Sequence, residues 1–148
     1  MKCTKGVTLS LFALINTFIA IYLNWPEFLM GSRATIFNLI VSIVFLSLWF
    51  IFSFYYGIKR QKTYKKFLLV YWGVNIISSI LIWIVSISNY SGIFLLPFAI
   101  WYGAPVYGFR FLLDGDVSNL VIVTAALGLI VNTLGYWIGL MTSKGKEQ

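Results

Sequence analysis

Residues Ala34–Ile58 read ATIFNLIVSIVFLSLWFIFSFYYGI, which is 25 residues without Asp, Glu, Lys, Arg or His. About 20 apolar residues in an α-helix, rising 1.5 Å per residue, cross a hydrocarbon core of about 30 Å. Three further charge-free stretches occur, at Gly6–Pro26, Phe67–Phe109 and Val117–Ser143. The sequence therefore predicts an all-α membrane protein with several spanning helices.

The composition supports this class. Hydrophobic residues make up 60% of the 148 residues and charged residues 10%, whereas a soluble domain carries about 25% charged residues. The charge-free stretches leave no room for a separate soluble domain, so residues 1–148 are predicted to form one membrane domain. The single cysteine, Cys3, cannot form an internal disulfide, and it precedes the first apolar stretch, which disfavours a lipoprotein cleavage site.

The first stretch could be a removable signal peptide or a retained helix. Lys2 and Lys5 supply a basic amino-terminal region, but the apolar run is longer than the usual 7–15 residues, and no A-x-A site follows it. We therefore expect a retained membrane helix.

The distribution of charge predicts the orientation of the helices. With four spans, nine of the eleven basic residues fall on one side: Lys2, Lys5, Lys59, Arg60, Lys62, Lys65, Lys66, Lys144 and Lys146. The other side receives Arg33, Arg110, Glu27, Asp114 and Asp116. Basic residues in short loops are retained in the cytoplasm. Both termini are therefore predicted to be cytoplasmic, and we expect the cytoplasmic membrane of a bacterium.

The third stretch is long enough for two helices, but a fifth span at Gly92–Leu113 would place the last two lysines outside. Pro97 and Pro105 also interrupt it, and proline removes a backbone donor from a helix. Seven aromatic residues between 93 and 111 favour the headgroup level. We predict a four-helix bundle with spans near 6–25, 35–57, 67–88 and 117–141. Residues 93–111 would then be an outer interfacial helix or a shallow re-entrant loop.

Three asparagines are predicted to lie at similar depth inside the bundle. Asn16, Asn75 and Asn132 fall about 12–15 Å above the cytoplasmic ends of spans one, three and four, counted at 1.5 Å per residue. A layer of amides between helices most often fixes helix register. A small-molecule or ion site is the alternative, although the layer carries no charge to select an ion.

One face of the last span carries small residues, at Thr124, Gly128, Gly135 and Gly139, with Asn132 among them. Small side chains allow the close approach of two helix backbones, and Gly135–Gly139 forms a G-x-x-x-G motif. The face is predicted to pack tightly against another span of the same chain or against a second protomer. Span three, which carries Asn75, is the expected neighbour.

The residues needed for catalysis are scarce. The chain has no histidine and one cysteine, which excludes a zinc site of His and Cys and a Ser-His-Asp triad. Asp114 and Asp116 could hold a divalent cation, but a turn at Gly115 with Asp116 or Ser118 capping the next helix explains them more simply. We predict no enzymatic activity, no metal and no cofactor.

The loop between spans two and three carries five cations: Lys59, Arg60, Lys62, Lys65 and Lys66. Cations beside a bilayer attract anionic headgroups at about 1 kcal/mol each. A loop held between two spans reaches little of a nucleic-acid duplex, so anionic lipids of the cytoplasmic face are the expected partners and nucleic acid is not. Asn89-Tyr90-Ser91 is a formal glycosylation sequon, which has meaning only in a eukaryotic secretory protein.

Two function classes remain. The first is a small non-enzymatic multi-pass protein that acts through contacts with other membrane components, in an accessory, regulatory, immunity or stress role. The second is a homo-oligomeric pore or transport subunit for a small solute that uses the asparagine layer. A proton relay normally needs buried Asp, Glu or His, which the spans lack.

Overall fold

The computed structural model describes residues 2–88, 92–113 and 117–144, and within these ranges every regular element is helical. Four long helices account for most of the chain: α1 (Lys2–Met30), α2 (Ile36–Ile58), α3 (Lys62–Ser88) and α5 (Val117–Lys144). Each is long and apolar enough to cross a membrane. This confirms the expectation of an all-α membrane bundle.

Helix α1 runs further than its predicted end near residue 25. Pro26 lies inside it, and the helix ends at Met30. Gly31 then takes a φ of +61°, which glycine adopts without a Cβ penalty. The N–H of Gly31 donates to the Phe28 carbonyl at 3.2 Å, and the N–H of Ser32 donates to the Glu27 carbonyl at 3.1 Å. This pair of bonds is the Schellman motif, which ends a helix cleanly.

Helix α2 begins with a reciprocal cap. The Thr35 hydroxyl accepts a bond from the backbone N–H of Asn38, while the Asn38 side chain accepts one from the N–H of Thr35. These two bonds satisfy donors that the first turn of a helix leaves free. At its other end α2 passes into α3 through a short turn in which Arg60 has a φ of +50°. Helix α3 begins at Lys62, so its first turn carries part of the basic loop.

The segment between α3 and α5, Ile93–Phe111, is called the connecting segment below. It is a 3₁₀ turn (Ile93–Leu95), one α-helical turn (α4, Leu96–Phe98), a π-helical turn (Ala99–Gly103) and a second 3₁₀ stretch (Ala104–Phe111). As Pro97 and Pro105 predict, it is not one continuous α-helix. Its two halves differ in burial. Ile93, Phe94 and Leu96 are exposed, whereas Ala104–Gly108 are buried.

Helix α2 lies at the centre of the packing, with its most extensive contact to α5 and a further one to the connecting segment. Aromatic rings fill the core on the α1 and α3 sides of α2. Trp49, Tyr64 and Trp72 are fully buried or nearly so. The rings of Phe12 and Phe52 stack with centroids 3.6 Å apart, and those of Trp49 and Trp72 meet edge to face at 5.8 Å. Such contacts fix helix positions where lipid supplies no hydrophobic driving force between helices.

Candidate functional site

The largest group of polar contacts joins α1 and α2 to the second half of the connecting segment. The Asn24 side chain is fully buried. Its Nδ2 donates to the carbonyl oxygen of Ala104 at 2.8 Å and lies 3.3 Å from that of Pro105. Asn24 of α1 therefore bonds directly to two carbonyls at the start of the buried 3₁₀ stretch.

Asn38 supports Asn24 from the first turn of α2. Its Nδ2 donates to the Oδ1 of Asn24 at 3.1 Å and to the Oε2 of Glu27 at 3.2 Å. Its own Oδ1 accepts from the backbone N–H of Thr35 at 2.8 Å and from the Thr35 hydroxyl at 2.6 Å. Both donors and both acceptor positions of this buried amide are in use, so its orientation is determined by its partners.

Ser42, one turn further along α2, completes the group. Its Oγ accepts a bond from the backbone N–H of Gly108 at 3.0 Å. At Gly108, a Cβ atom would overlap the backbone of Asn38. Only glycine therefore fits at this crossing of two backbones. We call Asn24, Glu27, Asn38 and Ser42 the polar node.

Arg110 and Tyr107 bind the carboxyl end of α1. The Nη1 of Arg110 donates to the carbonyl of Gly31 at 2.9 Å and to that of Ser32 at 3.1 Å, and it also reaches the Tyr107 hydroxyl at 2.8 Å. The Tyr107 hydroxyl donates to the Ser32 carbonyl as well. Gly31 and Ser32 directly follow α1. The carbonyl end of a helix carries partial negative charge, so a guanidinium beside it is favourable.

The middle of the connecting segment meets α1 and α3 far from their ends. The rings of Tyr102 and Tyr71 lie 5.5 Å apart and meet edge to face. Trp101 packs edge to face on Phe18 at 5.4 Å. The Tyr71 hydroxyl also shares a hydrogen bond with Thr17 at 3.1 Å. Through these contacts the π-helical turn packs against both α1 and α3.

A second, separate chain of polar groups joins α2, α3 and α5. The Tyr64 hydroxyl lies 2.5 Å from the Ser53 Oγ, which donates to the Oδ1 of Asn132 at 2.8 Å. The Nδ2 of Asn132 donates to the Gly128 carbonyl at 2.7 Å. Tyr64, Ser53 and Asn132 are all fully buried. Asn132 thus uses its side chain to hold α5 against α2.

The three asparagines of the predicted layer are all buried. In the described part of the chain they bond to different partners and not to one another. Asn16 donates to the Phe45 carbonyl at 3.4 Å, Asn75 accepts from the Ser79 hydroxyl of its own helix at 3.2 Å, and Asn132 bonds Ser53.

The small residues of α5 face two helices of the same chain. A Cβ at Gly139 would overlap the Phe54 carbonyl and lie 3.0 Å from the Cα of Gly57, and one at Gly135 would lie 2.8 Å from the Phe50 carbonyl. Both contacts are with α2. Gly128 instead faces the ring of Trp72 on α3, where a Cβ would overlap the ring. Thr124 is buried and donates to the Leu120 carbonyl of its own helix at 2.8 Å.

The five cations of the predicted headgroup surface, Lys59, Arg60, Lys62, Lys65 and Lys66, are all exposed. Two of them lie over aromatic rings. The Lys59 Nζ is 4.2 Å from the ring centroid of Tyr55 and bonds its hydroxyl, and the Lys65 Nζ is 5.8 Å from that of Trp137. The basic groups therefore stand beside the amphipathic aromatics that favour a membrane interface.

Sequence reasoning did not single out the polar node. Asn38 had a usable signal, because Thr35-x-x-Asn38 before an apolar run is the spacing of a helix cap. Asn24 and Ser42 had none, since the bonds that join them to the connecting segment span more than sixty residues. The proposed turn at Asp114–Asp116 and the sequon at Asn89–Ser91 fall outside the described residues.

Chemically, the node is a set of neutral hydrogen-bonding groups with one carboxylate. Within residues 2–88, 92–113 and 117–144, no three His, Cys, Asp or Glu side chains come together. The chain matches no protein-family model, and comparisons with curated proteins and with solved structures give no match.

Proposed function

We propose that this chain is a non-enzymatic multi-pass protein of a bacterial cytoplasmic membrane that acts through contacts with other membrane components, in an accessory, regulatory, immunity or stress role. One observation carries the proposal. The fully buried amides of Asn24, Asn38 and Asn132 bond to groups of the same chain. Polar groups used in this way fix the helices in place and leave little with which to bind and release a solute.

The topology that goes with this proposal has both termini and the basic loop in the cytoplasm. The connecting segment is then a re-entrant element and not an interfacial helix. Tyr71, which contacts Tyr102, lies 17 residues before the end of α3 at Ser88. This is about 25 Å along a helix, too deep for a segment that stays at the headgroups. Non-α backbone at such depth is tolerated only where it is buried in protein. Residues Ala104–Gly108 meet this condition, because they are buried.

The exposed first half of the connecting segment is the proposed contact surface. Ile93, Phe94 and Leu96 leave more than half of their surface uncovered. The buried second half, held by Asn24 and Ser42, keeps this half in a fixed position. Large apolar side chains on a rigid support are typical of partner contacts.

A photo-crosslinking amino acid at Phe94 tests this surface in native membranes. We expect one discrete protein adduct at Phe94, and none from the same probe at Ile77, which is equally exposed on α3. Affinity capture in mild detergent would then identify the partner at a fixed stoichiometry. Absence of an adduct at Phe94, or the same adducts at both positions, would contradict the proposed surface.

The alternative is a homo-oligomeric pore or transport subunit, and the position of Asn16 favours it. This amide lines an open groove between α1 and α2, where it could face the axis of an oligomer. Purified protein in liposomes separates the two functions. Solute flux that falls sharply in Asn16→Leu while the fold is kept would support the pore and overturn the contact function. No flux at any protein density would eliminate the pore.

A further inference from the structure

One face of α2 remains uncovered by the other residues that the structure describes. Its exposed residues form two parallel rows at helical spacing, Ile40, Val44 and Leu48 in one and Ile43, Ser47 and Ile51 in the other. Rows spaced by four residues are the ridges with which helices pack into one another. Ser47 is the polar member of the two rows and lies at their centre.

Each row borders a groove. The first groove, about 190 Å³, lies between α1 and α2, borders the Ile40–Val44–Leu48 row and includes Asn16 and Ala20 in its lining. The second, about 440 Å³, borders the Ile43–Ser47–Ile51 row and is closed by Phe109 and by Val131 of α5. Helix α2 therefore stands as a double ridge between two grooves, with α1 on one side and α5 on the other.

Two polar side chains in this surface have hydrogen-bonding capacity to spare. Among the described residues, Ser47 makes no hydrogen bond, whereas Ser78 and Thr124 bond carbonyls of their own helices. The bond described for Asn16 is a long one of 3.4 Å, and an amide can make up to four. An unsatisfied polar group in hydrocarbon is costly, so a partner that bonds both would be favoured.

The two groups lie at the same depth. Asn16 donates to the carbonyl of Phe45. A carbonyl in an α-helix points toward the carboxyl end of the helix, so this oxygen lies about level with Ser47. Asn16 is therefore level with Ser47 but belongs to the opposite side of the α2 ridge. A two-fold rotation about the membrane normal moves each residue to the opposite side of the axis and leaves its depth in the membrane unchanged. Ser47 of one copy and Asn16 of a second copy can therefore meet.

From this geometry we infer that a second copy of this chain packs on the α2 face as a parallel, two-fold symmetric dimer. A two-fold axis along the membrane normal brings the α5 side of one α2 against the α1 side of the other. The Ile43–Ser47–Ile51 row of each copy then enters the α1–α2 groove of the other, and each Ser47 hydroxyl meets the Asn16 amide of the second copy. Because such an interface is self-complementary, both bonds form at once.

A single foreign helix would cover one side of the ridge and leave the other polar group unpaired, so the symmetric pair is the better fit. Self-association of this kind does not depend on the proposed contact with other membrane components. The exposed first half of the connecting segment, which is the proposed contact surface, takes no part in the dimer interface, so either proposal can fail without the other.

Disulfide cross-linking in native membranes tests the geometry. In a Cys3→Ser background, which lacks cysteine, Val44→Cys places a thiol beside the predicted axis, and Ile77→Cys places one on the exposed face of α3. We expect rapid oxidation of Val44→Cys to a covalent dimer and at least tenfold slower dimer formation for Ile77→Cys. Equal rates at the two positions, or no dimer from Val44→Cys, would overturn the inference.

Energy transfer between labelled copies in vesicles tests the bonds themselves. Ser47→Ala is expected to weaken dimerisation about fivefold to tenfold, because two membrane hydrogen bonds are lost per dimer. Asn16→Leu should weaken it similarly, and the double variant should be no weaker than the single ones. Additive effects, or undiminished dimerisation in Ser47→Ala, would contradict the pairing of Ser47 with Asn16. Ser47 is exposed to lipid, so its truncation leaves the monomer intact.

Discussion

The amide of Asn24 and the carbonyl of Ala104 are joined by a hydrogen bond of 2.8 Å across 80 residues of sequence. This bond, with its neighbour to Pro105, holds the buried half of the connecting segment against α1. Asn24→Ala is therefore expected to let that half open. With a single thiol from Val106→Cys in a Cys3→Ser background, maleimide labelling in membranes should rise about tenfold, since the lost bonds contribute about 1–3 kcal/mol.

Asn75→Ala is the matched control for this experiment. Asn75 is also a buried asparagine, but its side chain bonds Ser79 within its own helix. Its replacement should leave the labelling of Val106→Cys near the original rate. Equal labelling in the two variants would show that Asn24 does not hold the segment.

Gly139 lies against the Cα of Gly57, and no space for a methyl group remains between α5 and α2 at this crossing. We expect Gly139→Ala to lower the thermal unfolding midpoint in detergent, at a cost of about 1–3 kcal/mol from overpacking. Gly73→Ala should not lower the midpoint, because a Cβ at this position has no neighbour within 4 Å. Alanine also has a higher helix propensity than glycine. A Gly139→Ala protein as stable as Gly73→Ala would mean that the helices are not in contact there.

The sequence predicted the long apolar helices, and it indicated a face of small residues on α5. Charge-free stretches locate the spanning elements because hydrocarbon penalises charge wherever it occurs. The small-residue face could be identified because helical spacing is local, although α2, and not α3, receives Gly135 and Gly139. Pro97 and Pro105 likewise indicated a break, since proline acts on its own backbone.

The polar node could not be predicted, because its bonds depend on how distant segments meet. An asparagine near the end of a span has the same sequence signature whether it faces lipid headgroups or buried carbonyls. Asn24 is fully buried, and its amide bonds the carbonyls of Ala104 and Pro105, some eighty residues further along the chain. The requirement for glycine at 108 has the same origin, since it arises from the backbone of Asn38.

Arg110 stabilises the end of α1 through the carbonyls of Gly31 and Ser32. Arg110→Gln is expected to reduce the free energy of unfolding by about 1–2 kcal/mol, because charged hydrogen bonds and the favourable interaction with the helix end are both lost. Arg33→Gln, at an exposed cation near the same helix end, should change it by less than about 0.5 kcal/mol. Denaturant unfolding in detergent micelles measures both, and equal losses would contradict the role of Arg110.

The basic loop should recruit anionic lipid, and Trp137 provides a way to observe it because its ring lies 5.8 Å from the Lys65 Nζ. Brominated anionic lipids are expected to quench this half-exposed tryptophan more strongly than brominated neutral lipids. Replacing all five cations of the loop by glutamine should remove the difference, since each contributes about 1 kcal/mol of attraction.

Replacement of the four lysines of the loop by arginine keeps the charge and should preserve the preference for anionic lipid, and a Trp137→Phe protein gives the signal of the other five tryptophans. Because the cations are exposed, raising the salt concentration should weaken the preference as the screening length shortens below about 10 Å. Quenching that is the same for anionic and neutral lipids in the unaltered protein would mean that the loop does not bind headgroups through charge.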